Sequence, residues 1–142
     1  MTEETIHLRW TLNAPQARVF DLWTKPDFVR QWFGGLDTEV QEIRMDLKPG
    51  GEYQIQVNTE QGLSTISGEF LKVDAPARLV YTWVLDSAQG SLPVTTVEVD
   101  FNAHGDQTEV VLIHGPFPQP EAKIFHSQGW QACFEGLEQL IR

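Results

Sequence analysis

Cysteine is nearly absent from this chain, and the single thiol, Cys133, excludes an intramolecular disulfide. Cations are scarce too. Ten Lys plus Arg stand against 20 Asp plus Glu, a formal charge of −10 that repels phosphate backbones and anionic headgroups. Neither nucleic acid nor a membrane surface is an expected partner. No apolar run approaches the roughly 18 residues a membrane span needs; the longest candidate, around Leu79 to Leu85, is the size of a strand. The opening MTEETIHLRW has neither a basic n-region nor an apolar h-region, so the expected location is cytoplasmic. Catalytic signatures are missing as well. There is no CxxC, HExxH or Ser/Cys hydrolase pattern, and Gly34-Gly35 and Gly50-Gly51 lack the strand-to-helix setting of a phosphate loop. Both glycine pairs read as turns. Internal repeats, low-complexity tracts and linkers are absent.

What is present suits one domain over residues 1–142, with 41% hydrophobic residues to build a core. Ile6, Leu8, Trp10 and Leu12 alternate with polar neighbours, the two-residue period of a half-buried strand. Asn13 as N-cap and Pro15 in the first turn then open a short helix whose stripe is Val19, Phe20, Leu22 and Trp23. Thr24 and Pro26 restart a second one carrying Phe28, Val29, Trp32 and Phe33, which Gly34-Gly35 ends.

From Leu36 to His114 the turn signals leave room only for strands. Lys48-Pro49-Gly50-Gly51 suits a type II turn; Asn58 to Gly62 reads as a hairpin tip, Asp74-Ala75-Pro76 as a break, and Asp86 to Pro93 and Asn102 to Gln107 as connections. Such short connections, with no helix between them, require antiparallel neighbours. The class is α+β, with six or seven strands.

Gln119 to Arg142 reads as a long closing helix with an apolar face of Ala122, Phe125, Gly129, Trp130, Cys133, Leu137, Leu140 and Ile141. His126 falls at the middle of that face. An imidazole, and a missing side chain at Gly129, where leucines would fill a tight core predict a hollow between helix and sheet.

Ala14-Pro15 with Val19-Phe20 and Trp23, Pro26, Trp32, Asp46 with Pro49-Gly50-Gly51, Gly68, Pro76 with Arg78-Leu79 and Tyr81-Thr82, Thr108, His114, Gly129-Trp130, Leu137 and Leu140 follow one another in a familiar order. In that order and spacing the chain resembles the family of homologues of the activator of the ninety-kilodalton heat-shock chaperone's ATPase, within the START-like group that includes polyketide cyclases and the birch-pollen allergen. The resemblance covers nearly the whole chain. It implies the helix-grip fold, a curved antiparallel sheet wrapped around a long C-terminal helix and a cavity. Members like this one are small, stand-alone bacterial proteins. The chaperone role belongs to a larger eukaryotic cochaperone with an additional domain for which this chain has no room, so a chaperone partner is not expected.

The expected function is to bind a small apolar or aromatic molecule. The residues expected to line its site are Trp32, Phe33, Tyr53, Trp83, His114, Phe117, His126, Gly129, Trp130 and Cys133. His126 and Trp130, one helical turn apart, offer a polar group and an aromatic wall, against the plainer reading of a histidine bonded to a sheet residue. Trp32-Phe33 reads as a movable flap or a fixed plug, with Phe117 on the opposite rim. Cys133 lacks a nearby cation and reads as inert. No metal or cofactor is expected. Glu69 is the remaining carboxylate candidate for a general base, since strand parity turns Glu52 outward. Two other readings stay open at this point: a cyclase, dehydratase or hydrolase-like enzyme in which His126 or His114 moves a proton, and a chaperone-interaction module. No catalytic residue is assigned, and a homodimer stays open.

Overall fold

The computed structural model describes residues 4–34, 38–59, 62–87 and 90–141. Gly35, the centre of the Asn58 to Gly62 tip, part of the Asp86 to Pro93 connection and Arg142 lie outside them. The chain runs β1 (Glu4–Leu12), α1 (Gln16–Thr24), α2 (Pro26–Trp32), β2 (Glu39–Met45), β3 (Glu52–Thr59), β4 (Gly62–Asp74), β5 (Arg78–Ser87), β6 (Gly90–Ser91), β7 (Thr95–His104), β8 (Gln107–Phe117) and α3 (Pro120–Ile141). Seven strands form one antiparallel sheet in the order β1-β8-β7-β5-β4-β3-β2, and the two-residue β6 adds to β5. This is the expected α+β helix-grip architecture. Among the described residues its two edges, β1 and β2, do not pair, so the sheet is not closed.

Alternation along the strands decides which side chains enter the core. Val97, Val99 and Phe101 of β7 and Val110, Leu112 and His114 of β8 are all fully buried and point to one face. α3 lies on that face with His126, Trp130, Cys133, Phe134, Gly136 and Leu137 turned inward, a seam at i, i+4, i+7, i+8, i+10 and i+11. Trp10 of β1 stacks on Phe134, ring centroids 5.1 Å apart. α1 and α2 pack beside the same face, where Trp23 meets both Trp32 and Phe134.

Local signals behave as their chemistry requires, with two exceptions. Gly50 takes φ +86° and the Gly51 N–H closes on the Lys48 carbonyl at 2.8 Å, the type II turn. α2 begins with Pro26 in its first turn. Asn13, however, does not cap α1: the N-cap is Pro15, in extended conformation and with no side-chain hydrogen bond, and its carbonyl takes the Val19 N–H at 3.0 Å. The second exception is Gly129. It is exposed, and a Cβ there would meet nothing within 4 Å, so it does not hollow out the inner face. Phe125, assigned to the same face, is 62% exposed. The glycine that faces inward is Gly136, where a Cβ would lie 3.2 Å from the Trp32 carbonyl oxygen; its bare backbone lets α3 and α2 approach closely.

Candidate functional site

Between the sheet and the helices lies a gap of about 20 Å³. It is lined by Trp23, Val29, Trp32, Phe33, Met45, Tyr53, Ile55, Phe70, Leu79, Tyr81, Trp83 and Trp130. The roomy hollow expected between helix and sheet is not there. Aromatic rings occupy the space instead, Trp23 lying on Trp32 at 5.0 Å and on Trp130 at 6.0 Å, and Trp83 on Trp130 at 5.5 Å. A gap this size has room for about one water molecule.

Of the ten expected site residues, Trp32, Phe33, Tyr53, Trp83 and Trp130 border the gap. His114, Phe117, His126 and Cys133 are buried but stand outside its lining, and Gly129 faces away. Trp32 and Phe33 separate into two behaviours. The Trp32 indole N–H donates to the Leu22 carbonyl at 2.7 Å, and the side chain is 2% exposed, which fixes it as a plug. Phe33, one residue past the end of α2 and in extended conformation, contacts Trp32 and Trp83 only through its ring, at 6.0 and 6.1 Å. Phe117 is no rim: its ring lies 4.7 Å from both His114 and His126, and only 5% of it is exposed.

The two histidines form a second layer behind the gap. Trp130 donates its indole N–H to His114 Nδ1 at 3.0 Å, and Trp83 donates to His126 Nε2 at 3.2 Å. An indole nitrogen only donates, so each accepting ring nitrogen carries no proton. The tautomers follow. His114 is protonated at Nε2 and donates to Thr95 Oγ1 at 2.8 Å, and that hydroxyl donates on to the Trp83 carbonyl at 3.4 Å. His126 is protonated at Nδ1 and donates to the Ala122 carbonyl at 2.8 Å. Both rings are neutral and have both nitrogens engaged. Burial, reinforced by the neighbouring His126, pushes His114 down to about 3, and burial lowers His126 in the same direction.

The other candidates are placed just as plainly. The Cys133 thiol accepts the Gly34 N–H at 3.2 Å, and burial pushes it up to about 12. Among the described residues, no three His, Cys, Asp or Glu side chains gather as metal ligands. Glu69 is exposed and, like Glu52, turned away from the gap. It therefore does not serve the interior as a base. No described helix is long and apolar enough to cross a membrane.

Trp23 and Tyr81, absent from the expected site, border the gap, and the Trp23 indole N–H donates to the Tyr81 hydroxyl at 3.2 Å. Tyr81 shares the inward face of β5 with Trp83, a parity visible in the sequence. What the sequence does not carry is that α1 brings Trp23 against it. Tyr53 reaches across to the Thr82 carbonyl at 2.6 Å, over Gly68, where a Cβ would stand 2.1 Å from that same oxygen.

No protein of curated function matches this sequence. Solved structures do. Protein NE0264 from Nitrosomonas europaea is 24% identical, with a TM-score of 0.80 over 99% of this chain and 96% of its own. Protein CV1439 from Chromobacterium violaceum is 21% identical, with a TM-score of 0.87 over 96% of each chain. The AHSA1 protein from Silicibacter pomeroyi is 18% identical, with a TM-score of 0.83 over 96% of each. These likenesses establish a shared fold. The model of the family described as activator of Hsp90 ATPase homolog 1-like protein matches residues 13–142, and the chain belongs to that family.

Proposed function

We propose that the protein binds a small apolar or aromatic molecule in the gap between α2 and strands β3 to β5. The observation that carries this reading is the lining: all twelve side chains around the gap are apolar or aromatic, four of them tryptophan. Aromatic faces of this kind grip flat apolar ligands by stacking and edge contacts. The closed gap admits no such ligand, so binding requires one ring to leave. Phe33 is that ring, because the four indoles and two phenols of the lining are each held by a hydrogen bond and Phe70 is packed between Tyr53 and Tyr81, whereas Phe33 has no such bond and stands just past the end of α2.

A proton-moving enzyme is the weaker reading. His114 and His126 have no free nitrogen, and the indoles of Trp83 and Trp130 stand between them and the gap. The binding reading needs neither cofactor nor metal, and it describes one helix-grip domain working in the cytoplasm, with its ligand rather than a chaperone as partner. The test uses N-phenyl-1-naphthylamine, a neutral naphthalene probe that brightens in apolar surroundings. Saturable binding to the wild type is expected, with tighter binding and faster entry in Phe33→Ala, which vacates the gate. Failure of both proteins to bind this probe saturably would remove the proposal.

A further inference from the structure

We infer that the gap selects ligands bearing a carbonyl or comparable hydrogen-bond acceptor, received by the Tyr81 hydroxyl. This rests on the binding reading above and names the chemistry of the polar end of that same site. The case comes from following every indole and phenol hydrogen on the lining. Trp32 donates to the Leu22 carbonyl, Trp83 to His126, Trp130 to His114, and Trp23 to the Tyr81 oxygen. Tyr53 donates to the Thr82 carbonyl. Those five hydrogens are spent. The sixth, on the Tyr81 hydroxyl, has no acceptor among the described residues, because Trp23 only donates to it.

Tyr81 and Trp23, the two partners of that bond, both line the gap. Tyr81 is 6% exposed, and burial raises its pKa well above the ordinary phenol value, so the proton stays on oxygen. A buried donor without a partner is costly, whereas one that finds an acceptor is strengthened by its dry surroundings. Accepting the Trp23 N–H also polarises the phenol into a better donor. A carbonyl ligand gives that hydrogen an acceptor, whereas a hydrocarbon of the same shape seals the hydroxyl in without one.

The experiment compares two probes on the full chain, 2-acetylnaphthalene and 2-ethylnaphthalene, which share the ring system and differ by a carbonyl against a methylene. Affinities are read from quenching of tryptophan fluorescence in the wild type and in Tyr81→Phe. The preference for the acetyl probe should be about 2- to 12-fold larger in the wild type than in the variant, the span of one neutral hydrogen bond. Because Tyr81→Phe also strips Trp23 of its acceptor and threatens folding, a second measurement needs no variant. The carbonyl stretch of carbon-13-labelled acetyl probe bound to wild type should lie at lower frequency than in hexane. A bound carbonyl band at the hexane position, or an equal preference in both proteins, overturns the Tyr81 assignment while leaving apolar binding standing. If neither probe binds, the binding reading falls and this inference falls with it.

Discussion

Acid should unfold this protein through His114 before most other groups matter. In the folded state the ring is fully buried and neutral, with a pKa near 3 against an ordinary value of 6.5. Unfolding releases it to water, where it gains a proton at any pH between those two values. The unfolded state then binds one more proton than the folded state, so stability is fully present above about pH 6.5 and falls as pH drops toward the folded value, by about 1.4 kcal/mol per unit for one proton. From pH 6.5 to 5 the loss from His114 alone is about 2 kcal/mol. That figure is insensitive to where near 3 the folded value lies. It is also a sizeable part of an ordinary folding free energy and lowers the melting temperature by roughly 5 to 10 °C. His126 shifts the same way and adds to the slope. The assay is urea unfolding followed by tryptophan fluorescence at half-unit steps from pH 7.5 to 5. His114→Gln supplies the control: its amide oxygen can accept the Trp130 N–H and its amide nitrogen can donate to Thr95, but it takes up no proton in this range. Its slope should be about one proton shallower than that of the wild type, and His114→Gln/His126→Gln should be flatter still. Equal slopes in wild type and His114→Gln would refute the neutral, doubly bonded histidine.

The two helix glycines should respond oppositely to the same change. Gly129→Leu adds a side chain in open space and replaces a poor helix former, so stability should rise by up to about 1 kcal/mol, and affinity for N-phenyl-1-naphthylamine should not change. Gly136→Leu forces a branched chain against the Trp32 backbone and should cost about 3 kcal/mol, measured by the same urea titration; comparable effects at both sites would mean the helix is rotated from the orientation described. Cys133, buried and with its thiol pushed up to about 12, should resist Ellman's reagent in native buffer and react fully in 6 M urea; stoichiometric labelling within minutes in the native protein would contradict its burial.

The sheet was legible because strand period is a one-dimensional signal. Ile6 to Leu12, Tyr53 to Val57 and Leu79 to Trp83 alternate cleanly, and the structure turns Tyr53, Ile55, Val57, Leu79, Tyr81 and Trp83 inward as that alternation requires. The closing helix was legible in length and in its centre, His126, but not in the edges of its buried face. Hydropathy placed Phe125 inside and had no weight for Gly136. Yet the first is 62% exposed while the second is buried, because the backbone of Trp32 in α2 packs against α3 at Gly136. That docking joins residues about a hundred positions apart, and no local pattern encodes it. Pairing between elements likewise hid the Trp23 to Tyr81 bond, 58 positions apart, and the neutral state of the histidines, whose indole partners lie on other elements. The absent hollow has a related cause: composition counts aromatic rings but does not say whether they surround a space or fill it.

The two layers divide the work of the site. Trp83 and Trp130 each line the gap and give an N–H to a histidine outside its lining, so each imidazole holds a wall of the gap in place from behind. An imidazole suits that task because it accepts on one side and donates on the other; the donation anchors His126 to its own helix and His114 to Thr95 of β7. Protonation reverses the accepting nitrogen into a donor facing an indole N–H, which breaks the bond from the inside. On the proposed binding reading, the histidines set how rigid the aromatic wall is, Phe33 sets when the gap has volume, and Tyr81 supplies the donor no other indole or phenol on the lining has left. On that reading, a substitution at His126 acts on the ligand through Trp83, the lining residue it is hydrogen-bonded to, rather than by direct contact. Loss of the imidazole frees one ring of the wall and relaxes shape selectivity, whereas loss of the Tyr81 hydroxyl removes a contact and leaves shape selectivity intact.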